Sequence, residues 1–373
     1  MKKIYRKILV LLGNFPVLLE IIKTFISEWV AIIRKRPLYK NVKWTKEQQK
    51  EFDEYWKKNY GKKISNRWHK LYEACTGVHR VDYLPEILYS TIIEPKVNDY
   101  TYCSVYSDKN LNNLFFENVV EGVRTPKNFM FNNHGNFYDS NRHLISKVKA
   151  LEILSNVGEA VIKPTVDSSS GSNVIIVNMK NGYDDRSGIS AEEIIKKYKS
   201  NFTVQEKIKP SKELSTIYPL SINTFRVISY IVGDTIEIAP ISLRIGGNGS
   251  EVDNIHAGGM SIAVSKDGNL SKLAYRLGYG DSFEYFDKHP DTGIVFEGYR
   301  FSFVDRLIST ANRLHEMTAN IGVISWDFTV DDNENIVVIE ANFRGQSVWF
   351  PQMLSGEPFY GENTEKMLQS IGQ

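Results

Sequence analysis

The sequence predicts an α+β fold, and three observations predict it. Apolar runs come in pairs around short polar turns, as at 323–330 and 336–341 on either side of Asp331–Asn335. A second pair, 224–232 and 235–243, is joined by the two-residue turn Gly233-Asp234. Helical spacing of apolar residues dominates the chain ahead of these pairs, at 17–33, 46–59 and 66–75.

At 373 residues the chain can bury two or three packed lobes. A net charge of +2 supplies no strong global field for nucleic acid. Cys75 and Cys103 are the only cysteines, which gives neither a disulfide framework nor metal-ligand spacing and suits a reducing cytoplasm.

At the N-terminus, Lys2, Lys3, Arg6 and Lys7 precede the apolar Ile8–Leu12, and Gly13–Pro16 breaks that run. Val17–Ile33 is largely apolar, with Glu20, Lys23, Thr24, Ser27 and Glu28 as a polar stripe on one helical face, and Arg34-Lys35-Arg36-Pro37 ends it. No small-residue cleavage site follows, and the run is interrupted too often for a membrane span. Two readings stay open for residues 1–36: a basic-flanked amphipathic helix lying in a membrane interface, or a helix packed on the protein's own body or on a second subunit.

Phe52, Tyr55 and Trp56, then Trp68, Leu71 and Tyr72, mark buried helical faces. His69 and His79 have no partners at metal spacing. Asp108 is placed to cap a helix whose buried face is Leu111, Leu114 and Phe115, with Lys109 in its first turn able to reach an anion or to stay solvated.

Gly158–Pro164 reads as a strand ending in Lys163. The loop Thr165–Gly171, with Ser168, Ser169, Ser170 and Gly171, leads to a second strand. Such a flap can wrap phosphates with backbone N–H groups and hydroxyls, and Lys163 can add a point charge. It is not a P-loop, since no Gly-Lys-Ser/Thr and no helix follow. A plain hairpin with a surface lysine is the alternative. Ser190 and Glu193 form a capping box, and Phe202–Ile208 is a strand that carries Gln205 and Glu206.

Arg226 and Arg244 interrupt apolar strands, so each needs an anionic partner, either a bound phosphate or carboxylate or a structural ion pair. In Asp253–Val264, Gly258-Gly259 allows close backbone approach or positive φ, beside Asn254 and His256. A long amphipathic helix is expected over 301–321. In the hairpin that follows, Asp327 lies on one strand, and Glu340 and Asn342, two apart, share a face of the other. Three oxygen donors together suit Mg²⁺ held between protein and nucleotide phosphates.

The order of these elements resembles the ATP-grasp superfamily: Asp108-Lys109, Lys163-Pro164 with its serine/glycine flap, Gln205-Glu206-x-Ile208, the Arg226 strand, Asn254-x-His256-x-Gly258-Gly259, and Asp327 with Glu340-x-Asn342. Within it, the chain looks most like the sugar-transfer-associated and alpha-L-glutamate ligase-related proteins, on the segment Trp68–Tyr72, Asp108-Lys109-Asn110 and Asn223–Val227. The resemblance implies an ATP-grasp fold, two α+β lobes clasping ATP. These would be residues 106–205 with the flap and 206–373 with the metal site, preceded by a mostly helical region of 1–45 and 46–105.

It further implies that Lys109 and Lys163 hold the α/β-phosphates and that Ser168–Gly171 closes over them. Glu206 and Ile208, after Gln205, would meet adenine through backbone groups. Asp327, Glu340 and Asn342 would bind one or two Mg²⁺ ions, with Mn²⁺ as an alternative. Arg226 and Arg244 would neutralise the γ-phosphate or an acyl-phosphate, near His256 and Asn254. Thr224 stands where the glutamate ligases have an acidic ribose contact, and Glu213 is a substitute. The implied activity is carboxylate–amine ligation through an acyl-phosphate in cell-surface polysaccharide biosynthesis. Its substrates would be small molecules, one of them carried on a sugar, nucleotide-sugar or lipid-linked saccharide. Phosphoryl transfer to a sugar hydroxyl and a nucleotide-binding scaffold are the rival readings.

Overall fold

The computed structural model describes residues 15–166, 173–254, 258–277 and 282–372. The expected flap residues Ser168, Ser169, Ser170 and Gly171, and His256, lie outside them.

Helix α1 (Phe15–Arg34) is the first of the described elements. The Lys46–Tyr60 helix follows, started by a capping box in which Thr45 and Gln48 satisfy each other's backbone N–H groups. Phe52, Trp56, Trp68, Leu71 and Tyr72 are buried as their spacing requires. His69 is buried among aromatic rings, and that burial lowers its pKa to about 3, so it packs as a neutral side chain.

Among the described residues two sheets follow. The strands of the first are β2 (Asn128–Asn133), β3 (Asn136–Asp139), β4 (Leu144–Ile145), β5 (Gly158–Pro164), β6 (Ile175–Lys180), β7 (Tyr183–Asp184) and β8 (Phe202–Glu206). They run in the order β4-β3-β2-β8-β5-β6-β7, antiparallel throughout. One face packs Met130, Ala160, Ile162, Phe202 and Val204 against the helices Lys147–Ser155 and Ala191–Tyr198. The strand period of two sends Lys163 and Thr203 to the other face.

The second sheet holds β1 (Val123–Arg124), β9 (Thr224–Val232), β10 (Thr235–Ile238), β11 (Ile241–Ile245), β12 (Met260–Val264), β13 (Ala274–Leu277), β14 (Phe283–Phe286), β15 (Val323–Val330) and β16 (Ile336–Asn342). Its order is β1-β16-β15-β9-β11-β12-β13-β14, with β10 pairing the far end of β9. Only β1 with β16 is parallel among these pairings. β15 is buried along its whole length. The Val304–Glu316 helix packs one side of this sheet, while the N-terminal helices and the C-terminal Thr364–Gly372 helix pack the other.

Three expectations need correction. The second hairpin is not continuous: Ala239-Pro240 interrupts it, because proline offers no N–H to the ladder, so β10 and β11 pair different parts of β9. The helix expected over 301–321 spans only Val304–Glu316, and the chain turns at Asn320 with φ of 61°. Leu114 is exposed and Phe116 is buried instead. The segment begins as a 3₁₀ turn, Lys109–Leu111, capped by the Asp108 side chain on Asn110 N–H, and this shifts the phase of the Asn112–Phe116 helix.

The N-terminal region is fastened to the second sheet by buried polar groups. Asn98 donates to the carbonyls of Val323 and Phe343, each at 2.8 Å, and accepts from the N–H groups of Gly322 and Val323, each at 2.9 Å. Glu94 accepts from Gly345 and Gln346 N–H, and Glu86 from Val348 and Trp349 N–H. The strand that ends at Asn342 is therefore held at its exit by this region.

Candidate active site

The site is assembled by register. Arg226 on β9 lies opposite Asp327 on β15, and Asp327 lies opposite Glu340 on β16. A β-bulge follows Asp327, a device that re-aims side chains beside functional sites. Asn342 is two residues beyond Glu340 and pairs with Ser325. Arg244 on β11 lies opposite Thr224, two residues before Arg226. Cation, carboxylate, carboxylate and amide thus stand in a row across three strands.

Arg226 donates Nε and Nη2 to the two oxygens of Asp327, each at 3.0 Å, and Arg244 adds a third bond at 3.0 Å to Oδ2. Burial alone would raise the Asp327 pKa. The two guanidinium groups win, and hold it below the usual carboxylate range. Arg244 also donates to the Thr224 hydroxyl, which itself donates to Asp253. The pKa of Arg244 is raised: burial opposes this, and the charges of Asp327 and Asp253 outweigh it.

The lysines close the site from the other lobe. Lys109 donates its backbone N–H to Thr165 O, just past β5, and its Nζ sits 3.0 Å from Glu340 Oε1. Lys163, at the end of β5, is buried within the field of Glu340, Lys109 and Asp327. Burial is the main cause that lowers its pKa to about 8, with Lys109 adding to the effect and the two carboxylates opposing it. On β8 and β2 beside it, Thr203 and Gln205 both donate to Asn128 Oδ1, and all three are buried. The first sheet therefore turns a polar face to the site and an apolar face to its own core.

The segment linking the lobes is tied at Glu206. Its carboxylate accepts from Lys127 N–H at 2.7 Å and from Arg124, whose Nε donates to Asp331 at 2.7 Å. Ser211 N–H bonds to Val330 O, and Asp332 N–H to Lys209 O. Ile208 is buried beside this crossing. Glu213 is placed elsewhere, accepting from the N–H and hydroxyl of Ser302. Asn254 O receives Gly259 N–H at 3.0 Å. Both glycine reasons expected at 258–259 hold. Gly258 has φ of 90°, and a Cβ on Gly259 would lie 2.9 Å from Asp253 O.

The structure brings together Lys109, Lys163, Arg226, Arg244, Asp327 and Glu340, with Asn342 next in line. The sequence reading missed Asp253, whose carboxylate helps hold the charge of Arg244, and the buried polar pair Asn128 and Thr203 beside Lys163. Thr203 and Gln205 alternate along β8, and a polar alternation in an otherwise apolar strand was the available signal. Asp253 had none, because its role depends on a loop folding back to Thr224.

Comparison with known proteins places the chain. A family model described as sugar-transfer associated ATP-grasp matches residues 89–367. The chain belongs to this family. Sugar-transfer-associated ATP-grasp is thus the family of this fold, and the similar solved structures are of low identity. VanG D-Ala:D-Ser ligase from Enterococcus faecalis is 14% identical, with a TM-score of 0.42 over 74% of this chain and 63% of that one. An L-amino acid ligase from Bacillus licheniformis is 14% identical, with a TM-score of 0.39 over 74% and 49%. N5-carboxyaminoimidazole synthetase from Staphylococcus aureus, complexed with ADP, is 11% identical, with a TM-score of 0.38 over 67% and 48%. The chain spans between about half and two thirds of the length of these structures. No curated protein matches it.

The residues present fit a hard divalent cation of the kind that retains waters and binds through one or two carboxylates plus phosphate oxygens. Glu340 and Asn342 are partly open to the cleft and offer only oxygen and amide groups. Asp327 differs, because both its oxygens are already engaged by guanidinium groups. No group of three or more His, Cys, Asp or Glu side chains that could hold a metal occurs among the described residues.

Proposed function

We propose that this ATP-grasp protein is an ATP- and Mg²⁺-dependent carboxylate–amine ligase. It would act through an acyl-phosphate and attach an amino acid or related group during cell-surface polysaccharide biosynthesis. The observation that carries this reading is the row Arg226–Asp327–Glu340 on one sheet facing Lys109 and Lys163 from the other lobe. Four cations around two carboxylates can hold a polyphosphate and the charge that develops when its terminal phosphoryl group moves.

In this mechanism the protein supplies positioning and fixed charge rather than a nucleophile. Lys109 and Lys163 grip phosphate oxygens. Asp327 holds Arg226 and Arg244 in fixed orientation, so that their free N–H groups meet the transferring phosphoryl group and the acyl-phosphate. A carboxylate oxygen of the substrate takes the γ-phosphoryl group as the bond to the β-phosphate breaks and ADP leaves. The amine then adds to the acyl carbon, loses a proton and expels phosphate. A divalent cation held at Glu340 and Asn342 would neutralise phosphate charge when bound. Gln205, Glu206 and Ile208 lie at the interlobe crossing, where backbone groups can meet a nucleobase. The polysaccharide setting rests on the family's sugar-transfer association.

The test is ADP release from full-length protein with Mg-ATP, hydroxylamine and a panel of amino acids and uronic acids. Hydroxamate that depends on one acid supports carboxylate activation and identifies that substrate. ADP with phosphate appearing on an added sugar, and no hydroxamate, would overturn the ligase reading in favour of a kinase.

A further inference from the structure

Helix α1 carries more apolar surface than its packing uses. Its polar stripe does not simply face water. Ile32 is buried, Thr24 and Glu28 are half-buried, and Glu20 bonds to Arg344 at 2.6 Å, so the stripe lies partly against the body of the protein. Arg344 in turn lies 3.8 Å over the ring of Tyr100. A different face is left outward, made by Leu18, Leu19, Ile22, Phe25, Ile26 and Trp29, each between 46% and 55% exposed. At about 100° per residue these six fall within an arc of roughly 120°. They form one continuous apolar strip, of the sort that marks an interaction surface.

The charge around the strip selects its partner. Lys23, Arg34, Arg36, Lys40 and Lys43 are exposed beside or just beyond it. Residues 1–43 hold ten Lys or Arg and two Glu, although the whole chain has a net charge of only +2. The remainder is therefore net negative, so the positive charge is concentrated in this stretch of the sequence. No described helix is long and apolar enough to cross a membrane. An apolar strip with Trp and Phe, flanked by basic residues and held to its own domain along another side, matches a helix lying in a lipid interface.

We propose that the outer face of α1 docks this protein on an anionic lipid bilayer. The Glu20–Arg344 bond ties the docked helix to a residue two past Asn342, so docking fixes the orientation of the site relative to the membrane. The face lies outside the cleft, and the inference stands or falls independently of the ligase reading.

The test uses full-length protein sedimented with vesicles of phosphatidylcholine alone and of phosphatidylcholine mixed with phosphatidylglycerol. Binding to the mixed vesicles is expected to exceed that to the neutral ones by about tenfold or more, and Phe25→Ser/Trp29→Ser should abolish it. Arg34→Glu/Arg36→Glu should remove the preference for the anionic lipid. Brominated lipid should quench a component of Trp fluorescence that is missing in Trp29→Phe. These side chains are exposed, and unchanged circular dichroism will show that the variants fold. Absence of vesicle binding would overturn the proposal, as would binding unaffected by the Phe25/Trp29 variant. A concentration-dependent dimer that this variant dissolves, without vesicle binding, would assign the face to a second copy and also overturn it.

Discussion

Arg226 holds both oxygens of Asp327, at 3.0 Å each, from the directly opposing position on the neighbouring strand. Arg244 completes the arrangement at 3.0 Å. The structure makes Asp327 the anchor of two arginines. Asp327→Asn should destabilise the protein by roughly 3 kcal/mol, the lower end of the range for breaking a buried pair, because Arg226 keeps some solvent. Thermal unfolding measures this. Turnover should fall by about 10²-fold or more, since both guanidinium groups lose their fixed orientation. A variant with unchanged melting and activity would remove the anchoring role.

Glu340 is partly open to the cleft and pairs with Lys109. Glu340→Gln preserves its shape and removes its charge. Turnover should drop by about 10³-fold with the melting temperature nearly unchanged, because a single well-placed charge in a closed site is worth that much. Steady-state ADP release checks it, and retained activity would defeat the metal assignment.

Lys163 has its pKa lowered to about 8, chiefly by burial. It is charged below that pH and neutral above it. Nucleotide affinity should therefore weaken as pH rises through about 8, and Lys163→Arg, which stays charged, should carry tight binding to higher pH. Isothermal titration across pH 6.5–9.5, as roughly that window, would show it. A wild-type profile flat through pH 8 would exclude Lys163 as a phosphate contact.

Glu86 and Glu94 are buried where the N-terminal region grips 345–349, and burial raises their pKa values to about 8 and about 7 from the ordinary 4.5. For Glu86 the charge of Glu28 adds to the shift, and the N–H groups of Val348 and Trp349 oppose it. The folded state then binds more protons than the unfolded state between pH 4.5 and 8, so stability falls as pH rises through that interval. Glu86→Gln, always neutral, should flatten the upper part of this slope. Relative to wild type it should gain about 2–3 kcal/mol between roughly pH 6 and 8.5. Melting temperature against pH tests it, and parallel curves for the two proteins would rule out Glu86 as the source.

Much of the site was legible because strand geometry is local. Glu340 and Asn342 share a face by the period of two, and the turn at 331–335 sets the Asp327 strand beside theirs, although only the bulge after Asp327 brings it opposite Glu340 rather than Ile339. Gly258 and Gly259 announced a tight backbone, and the helical spacing of Phe52, Trp56 and Trp68 announced their burial. Other features were out of reach because they depend on packing between segments distant in sequence. Nothing in 301–321 shows that its helix stops at Glu316. The 3₁₀ start that turns Leu114 outward depends on how Lys109 meets Thr165.

The family resemblance implied the lysines and arginines of the cleft, whose roles the residues alone left open. The sequence by itself determined the α+β class and the hairpin with its oxygen donors. Those follow from side-chain chemistry and short-range periodicity. Only the tertiary structure decided which cations Asp327 holds, that Glu340 pairs with Lys109 across the lobes, and that α1 turns one face inward and leaves an apolar face open. Each of these is a contact between residues more than eighty positions apart, or a choice between two faces of one helix. Chain-distant charge pairing and the direction of burial are settled by the packed whole, where desolvation has to be matched by a partner.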